Sequence, residues 1–366
     1  MGFVMSVLAA IAVLAMLIFV HELGHFMAAR LQGIHVNRFS IGFGPILWKY
    51  QGPETEYAIR GIPLGGYVGF PDDDPESEIP LDDPNLLRNR PILDRAIVIS
   101  AGVIANLIFA YLLLVGQVAT VGVQDFDYQP GVKIAQVMSE ETAAHRAGIQ
   151  AEDIILQADG EELGASAQAV RSLMEIIQTH PEQVLELQVQ RQDETFRVPI
   201  SPERDDSGKG IIGVQLAPHG TLIRHRAESI PAAFGEGAVE FQRITMLTVQ
   251  GFGQLIRNFR ETADQVSGPV AIVAIGANIA KSDAGNLFRF AALISINLAI
   301  INILPLPALD GGQLAFLLIE GLRGKPLPTH IQDGVMQTGL MLLLGLGIFL
   351  IVRDTANLGW VQQLFQ

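Results

Sequence analysis

Two histidines and a glutamate in "FVHELGHF", residues 19–26, open the sequence to hydrolytic metal chemistry. His21 and His25 stand four apart, a spacing that puts both imidazoles on one face of a helix, where they can ligate one divalent ion. Glu22 lies beside them, placed to take a proton from metal-bound water. Two histidines are too few, because a catalytic zinc site generally has three protein ligands plus a water. The chain has no cysteine, so any further ligand must be histidine or carboxylate. Of the other histidines, His145, His180, His219, His225 and His330 lie outside the long apolar stretches, and His35 reads as packing in or beside a β-like segment. Asp310 is the better candidate for the third ligand, being the only charge between Phe290 and Ile319.

The elements that must position these residues read as membrane spans. The chain has 366 residues, 49% of them hydrophobic, and its mean hydropathy is positive. Four windows approach or exceed the ~20 apolar residues that cross a bilayer core. They are Phe3–Val20, Ala96–Val123, Phe290–Leu309 (continuing to Ile319) and Gly334–Val352. The first reads as a span rather than a cleaved signal, since no Lys or Arg precedes it and it exceeds the ~7–15 residues of a signal's apolar region. Basic residues follow the first window (Arg30, Arg38, Lys49, Arg60), precede the second (Arg88, Arg90, Arg95) and join the third to the fourth (Arg323, Lys325). The positive-inside rule therefore places the N-terminus outside, residues 21–95 and 320–333 in the cytoplasm, and 124–289 outside. A net charge of −14 argues against nucleic acid as a partner.

With that topology the first and third spans run in the same direction. His21 follows 18 uncharged residues and Asp310 follows 20, so at ~1.5 Å per residue they reach similar depths. A carboxylate alone there would be protonated or expelled, whereas one facing a cation held by two histidines is satisfied. Plainer readings are a polar cap on a span for the histidine pair and a cytoplasmic turn at "LDGG" for Asp310. Before it, Pro305 and Pro307 break the helix at membrane depth, which is tolerated only where the backbone is buried in protein or lines a wet cavity. Asn297 and Asn302, roughly 140° apart around a helix, offer amides that can hold a substrate backbone or join helices.

Between the spans, residues 36–70 look β-like. A helical substrate must unwind before its carbonyls can be attacked, and "GIPLGGYV", with Gly61, Ile62, Leu64, Gly65, Gly66 and Tyr67, offers either an edge for strand addition or an ordinary hairpin. The acidic, proline-rich "PDDDPESEIPLDD" reads as a solvated linker. Residues 124–204 read as a small α/β module: strand, short helix at "ETAAHRAG", strand, a helix over 166–179, and a hairpin at "VLELQVQRQDETFRVPI". Residues 229–260 read as an amphipathic helix, and "SGPVAIVAIGANIA" as an apolar segment lying in the interface or against the core. The chain thus divides into 1–123, 124–204, 205–289 and 290–366.

HELGH on the first span, "NILPLPALDGG" on the third, and an interposed module whose "AAHRAGIQAEDIILQADG" is similar to bacterial PDZ domains together resemble the site-2 protease family of intramembrane zinc metalloproteases, in its RseP-like branch. The likeness covers nearly the whole chain. It implies a polytopic α-helical membrane protein of about four transmembrane helices, with a membrane-associated β element over 61–68 and one inserted PDZ-like α/β domain. It also implies one zinc ion held by His21, His25 and Asp310, Glu22 as general base, and Asn297 and Asn302 as groups that handle substrate. The implied partners are the lipid bilayer and single-span substrates such as anti-sigma factors or remnant signal peptides, in a bacterial inner membrane or its equivalent. Family members often carry two tandem PDZ domains, and one is evident here. The competing class is a membrane scaffold with a structural metal, which needs neither Glu22 beside the histidines nor a carboxylate at matching depth.

Overall fold

The computed structural model describes residues 2–74, 77–205, 207–258 and 266–356. They form two compact units, Val123–His225 and the remainder.

In the larger unit four helices among the described residues are long and apolar enough to cross a membrane: Val4–Leu31, Ile92–Thr120, Ala284–Ile303 and Thr329–Ala356. Helix α1 (Phe3–Leu31) is apolar on every side until His21, the pattern of a helix solvated by lipid. It continues unbroken through the HELGH stretch, which fixes the histidine spacing. Helix α2 (Ile92–Thr120) lies against α1, and Gly24 permits the approach, since a Cβ there would sit 2.5 Å from the Ala101 carbonyl oxygen.

Strands β1 (Arg38–Gln51) and β2 (Glu56–Gly69) fold back on each other as a four-segment sheet. Residues 46–51 run antiparallel to 56–60, which run parallel to 38–41, which in turn run antiparallel to 66–69. Segment 66–69 is therefore an edge, with no further strand beside it among the described residues. Glycines allow the reversals: Gly65 has φ +108°, and a Cβ on it would meet the Phe43 ring at 2.1 Å.

After the smaller unit come α5 (Ile230–Arg257), α6 (Pro269–Ser282), α7 (Leu287–Ile303), α8 (Asp310–Arg323) and α9 (Thr329–Ala356). α5 and α6 fall where the amphipathic and apolar segments are expected, and α6 packs on α1. Ala110 and Leu114 of α2, Ile244 of α5, and Ala292 and Ile296 of α7 share one buried cluster. The third apolar window is not one helix. α7 stops at Ile303, and residues 304–309 are non-helical because prolines lack an amide hydrogen and disfavour helix in the residue before them. Ala308 takes a left-handed φ of 68°, a strained conformation of the kind found at functional sites. Gly311 and Gly312 let α8 start against this turn, since Cβ atoms there would sit 2.1 Å from Leu304 O and 2.4 Å from Leu306 O.

The smaller unit contains β3 (Val123–Val137), α3 (Ala143–Arg146), β4 (Ile154–Ala158), β5 (Glu161–Glu162), α4 (Ala169–Thr179), β6 (Leu185–Arg191), β7 (Glu194–Ile200), β8 (Glu203–Arg204), β9 (Gly210–Ile211) and β10 (Val214–His225). Its main sheet has the order β10-β3-β4-β6-β7, with β5 paired to β4. Val132, Ile134, Ile155, Leu173, Leu187 and Val189 form its core. The sheet runs past residue 204, because β10 pairs along almost the whole of β3, with a register shift between Pro218 and Gly220. Those two residues break the strand-like alternation in the sequence, and an edge strand tolerates them.

Candidate metal centre and catalytic residues

α1, α2, α7 and α8 bring the polar residues of the membrane unit to one place. His21 Nε2 lies 3.3 Å from His25 Nε2 and 3.3 Å from Asp310 Oδ2. The third side, His25 Nε2 to Asp310 Oδ2, is 3.4 Å. Donors bound tetrahedrally to zinc at ~2.0–2.2 Å lie about 3.3–3.6 Å apart. The three donor atoms thus already form one face of such a tetrahedron and leave its fourth corner open. Asp310 Oδ2 is buried and lacks a hydrogen-bond donor, an orphan that a cation would satisfy. As the first residue of α8, Asp310 also sits at the positive end of that helix's dipole. The donor set of two imidazoles and a carboxylate suits zinc. His21, His25 and Asp310 form the one such cluster found among the described residues.

The surroundings fix the donors. His25 Nδ1 donates to the Val98 carbonyl oxygen at 2.8 Å, which leaves Nε2 free to ligate. Asn106 of α2 approaches His21 Nδ1 at 3.3 Å. Gly102, also on α2, is what lets the helix lie against both rings, for a Cβ there would be 2.3 Å from His25 Nε2 and 2.8 Å from His21 Cε1. An ion pair between Arg95 and Glu320, 2.8 Å long, ties α2 to α8 and so to the helix that begins with Asp310.

Glu22 is covered by the β2 edge, since a Cβ at Gly66 would sit 2.8 Å from its Cγ. The other residues of the 61–67 stretch are more distant in role. Gly61 passes Pro45, Ile62 pairs with Phe43, and Gly65 packs on the Phe43 ring. Tyr67 pairs with Ser40 while its hydroxyl accepts from Arg60 at 3.2 Å. Leu64 lies within β2. Asn302 Nδ2 is 3.2 Å from His21 Nε2, at the rim of the site. Asn297 is half-buried further up α7. Asn106 and Gly102 are the residues that sequence reasoning missed; Gly66 was read as part of the β edge, but without its closeness to Glu22. The signal of the missed pair is tertiary, since α2 also carries Gly116 and Gln117 and nothing local singles out Gly102 and Asn106.

The chain matches peptidase family M50 over residues 9–346. It belongs to that family, the site-2 proteases. Among relatives, a Nostoc sp. protein whose name assigns it provisionally as a zinc metalloprotease is 66% identical over 99% of this chain and 100% of its own length. The chloroplastic membrane metalloprotease ARASP of Arabidopsis thaliana is 48% identical over 98% of this chain and 80% of its own. The regulator of sigma-W protease RasP of Bacillus subtilis is 28% identical over 97% and 99%. Among solved structures, the PDZ domain of an SdrC-like protein from Listeria monocytogenes covers 24% of this chain and 87% of its own, with a TM-score of 0.21 and 21% identity. The M50 chain is a membrane protein and a zinc metalloprotease.

Proposed function

We propose that this chain is an intramembrane protease that cleaves the transmembrane segments of single-span membrane proteins or remnant signal peptides. The observation that carries the reading is the tetrahedral spacing of His21, His25 and Asp310 with Glu22 alongside, within a helix long and apolar enough to cross a membrane. His21, His25 and Asp310 hold the ion. When bound, zinc supplies a Lewis acid that makes water nucleophilic near neutral pH and polarises the scissile carbonyl. Glu22 accepts the proton of the attacking water and returns it to the leaving amine. Asn302 donates its amide N–H to the substrate backbone beside the ligands, and Asn297, about 7.5 Å back along α7, holds the chain further from the cut.

An extended substrate needs replacement backbone partners in a medium without water. The 66–69 edge lies against Glu22 and provides them by strand addition, with Gly61–Gly65 shaping its approach. The distribution of Arg and Lys supports a cytoplasmic face for residues 21–95 and an outer face for the N-terminus and a PDZ-like domain over about 124–204, followed by an interfacial segment to 289 and the C-terminal membrane part from 290. The name of the RasP relative supports a regulatory role in membrane proteolysis.

The reading is tested with purified protein in lipid vesicles, by zinc content and by cleavage of a model single-span peptide. Wild type should carry one zinc per chain and cut within the span. Asp310→Ala should bind zinc at least ~100-fold more weakly, since only two donors remain. A variant that kept wild-type zinc affinity would remove Asp310 from the site.

The strand-addition part has its own readout. Along an edge strand successive N–H groups point alternately into the sheet and outward. Proline placed separately at Tyr67 and Val68 therefore removes one inward and one outward donor. The outward variant should keep zinc and thermal stability yet lose roughly tenfold in turnover, the value of about one hydrogen bond. The loss should be larger for substrates with stable helices than for those weakened by Gly or Pro at the cut. Equal losses for both substrates would dismiss strand addition.

A further inference from the structure

The Asn106 carboxamide is a fully buried polar group at the metal centre to which the catalytic reading gives no task. One end of the amide lies 3.3 Å from His21 Nδ1, and its Oδ1 is buried without a donor. Its backbone is pinned as well, because Ser295 Oγ of α7 donates to the Asn106 carbonyl oxygen at 2.8 Å. We propose that Asn106 is a positioning residue whose amide oxygen accepts the His21 Nδ1–H and holds that ring with Nε2 turned toward His25 and Asp310.

The inference rests on the reading of His21 Nε2 as a metal ligand, and from there it follows by donor and acceptor accounting. A neutral imidazole that ligates through Nε2 carries its hydrogen on Nδ1. An amide nitrogen facing that N–H would set donor against donor. A half-turn of the carboxamide exchanges its oxygen and nitrogen in the same space. In that orientation the orphaned oxygen gains a donor and the ring N–H gains an acceptor. His25 is already held this way, by Val98 O at 2.8 Å. Val98 and Asn106 are both on α2, eight residues or roughly two turns apart. One helix, contributing no ligand of its own, thus sets the tautomer of both histidines.

The test measures zinc affinity by chelator competition on full-length wild type, His21→Ala, and Asn106→Leu, →Ala and →Asp, with thermal unfolding of the zinc-free proteins as the check on folding. The Leu and Ala variants, which offer no acceptor at two different volumes, should bind zinc 10–100-fold more weakly. The Asp variant presents an oxygen at the same place and should stay within about threefold of wild type, as carboxylate–histidine–zinc arrangements do. Wild-type affinity in whichever apolar variant folds, or an Asp variant as weak as the apolar ones, overturns the role of Asn106 alone. A wild type that takes up no zinc, or a His21→Ala that binds it normally, overturns the ligand assignment and this proposal together.

Discussion

Glu22→Gln should leave zinc bound at wild-type affinity and lower kcat by about 10²–10⁴-fold, the range supplied by a positioned acid–base group. The amide has the size of the carboxylate it replaces, which matters in this place. Glu22 Cγ lies 2.8 Å, and Cδ 3.4 Å, from where a Cβ at Gly66 would be, so there is little spare room between α1 and the β2 edge. Glutamine fits that room but cannot accept a proton from water. The three donor atoms spaced 3.3–3.4 Å apart do not include Glu22, so the ion should remain. KM should change little, because the groups proposed to hold substrate are the strand edge and the α7 amides, not Glu22. Turnover of a single-span substrate within threefold of wild type, a change too small for a missing general base, would remove Glu22 from that role. Loss of zinc would make it a ligand instead.

The chemistry was more legible in the sequence than the scaffolding around it, and the difference has a physical origin. His21 and His25 are related by helix periodicity, which any uninterrupted apolar helix preserves. Asp310 stands out because a lone carboxylate in an apolar run needs a partner, and the span lengths that put it level with His21 are countable. Pro305 and Pro307 announce the break that α7 and α8 display. Asn302 lies beside His21, whereas Asn297, roughly 140° away around α7, is half-buried further up the helix. By contrast, Asn106 and Gly102 act through the register of α2 against α1, and no local spacing encodes a helix–helix register. The path of β1 and β2 was equally hidden. Gly and Pro in "GIPLGGYV" suggest turns, but that 38–41 lies between two segments of β2 depends on long-range pairing. β10 was masked by Pro218 and Gly220, whose local preference is overridden by pairing with β3.

Gly102→Ala sets two physical effects against each other, and their sizes decide the outcome. Alanine in place of glycine inside a helix is worth ~0.8–1.0 kcal/mol of stability, so propensity alone predicts a sturdier α2. The added methyl, however, would lie 2.3 Å from His25 Nε2 and 2.8 Å from both His25 Cδ2 and His21 Cε1. Those distances are far inside the ~3.5–4.0 Å of carbon contacts, and the nearest atom is a metal donor. His25 cannot retreat cheaply, because doing so breaks its 2.8 Å bond to Val98 O. The helix has little freedom to retreat either, because α1 and α2 are closely seated at Gly24, against Ala101 and Ala105 on either side of Gly102. The rings must therefore turn out of the ligating geometry. Zinc affinity should fall by at least ~100-fold, as for a lost ligand or its support, and cleavage should disappear. Helix content and the thermal stability of the zinc-free protein should hold or rise slightly. Gly116→Ala is the matched control on the same helix, since its Cβ would meet only Phe288 at an ordinary 3.6 Å, and it should keep both zinc and turnover. Were Gly102→Ala to bind zinc as wild type does, the close seating of α2 on the histidines could not be what shapes the site. The helix would then be no more than a neighbour to the metal centre.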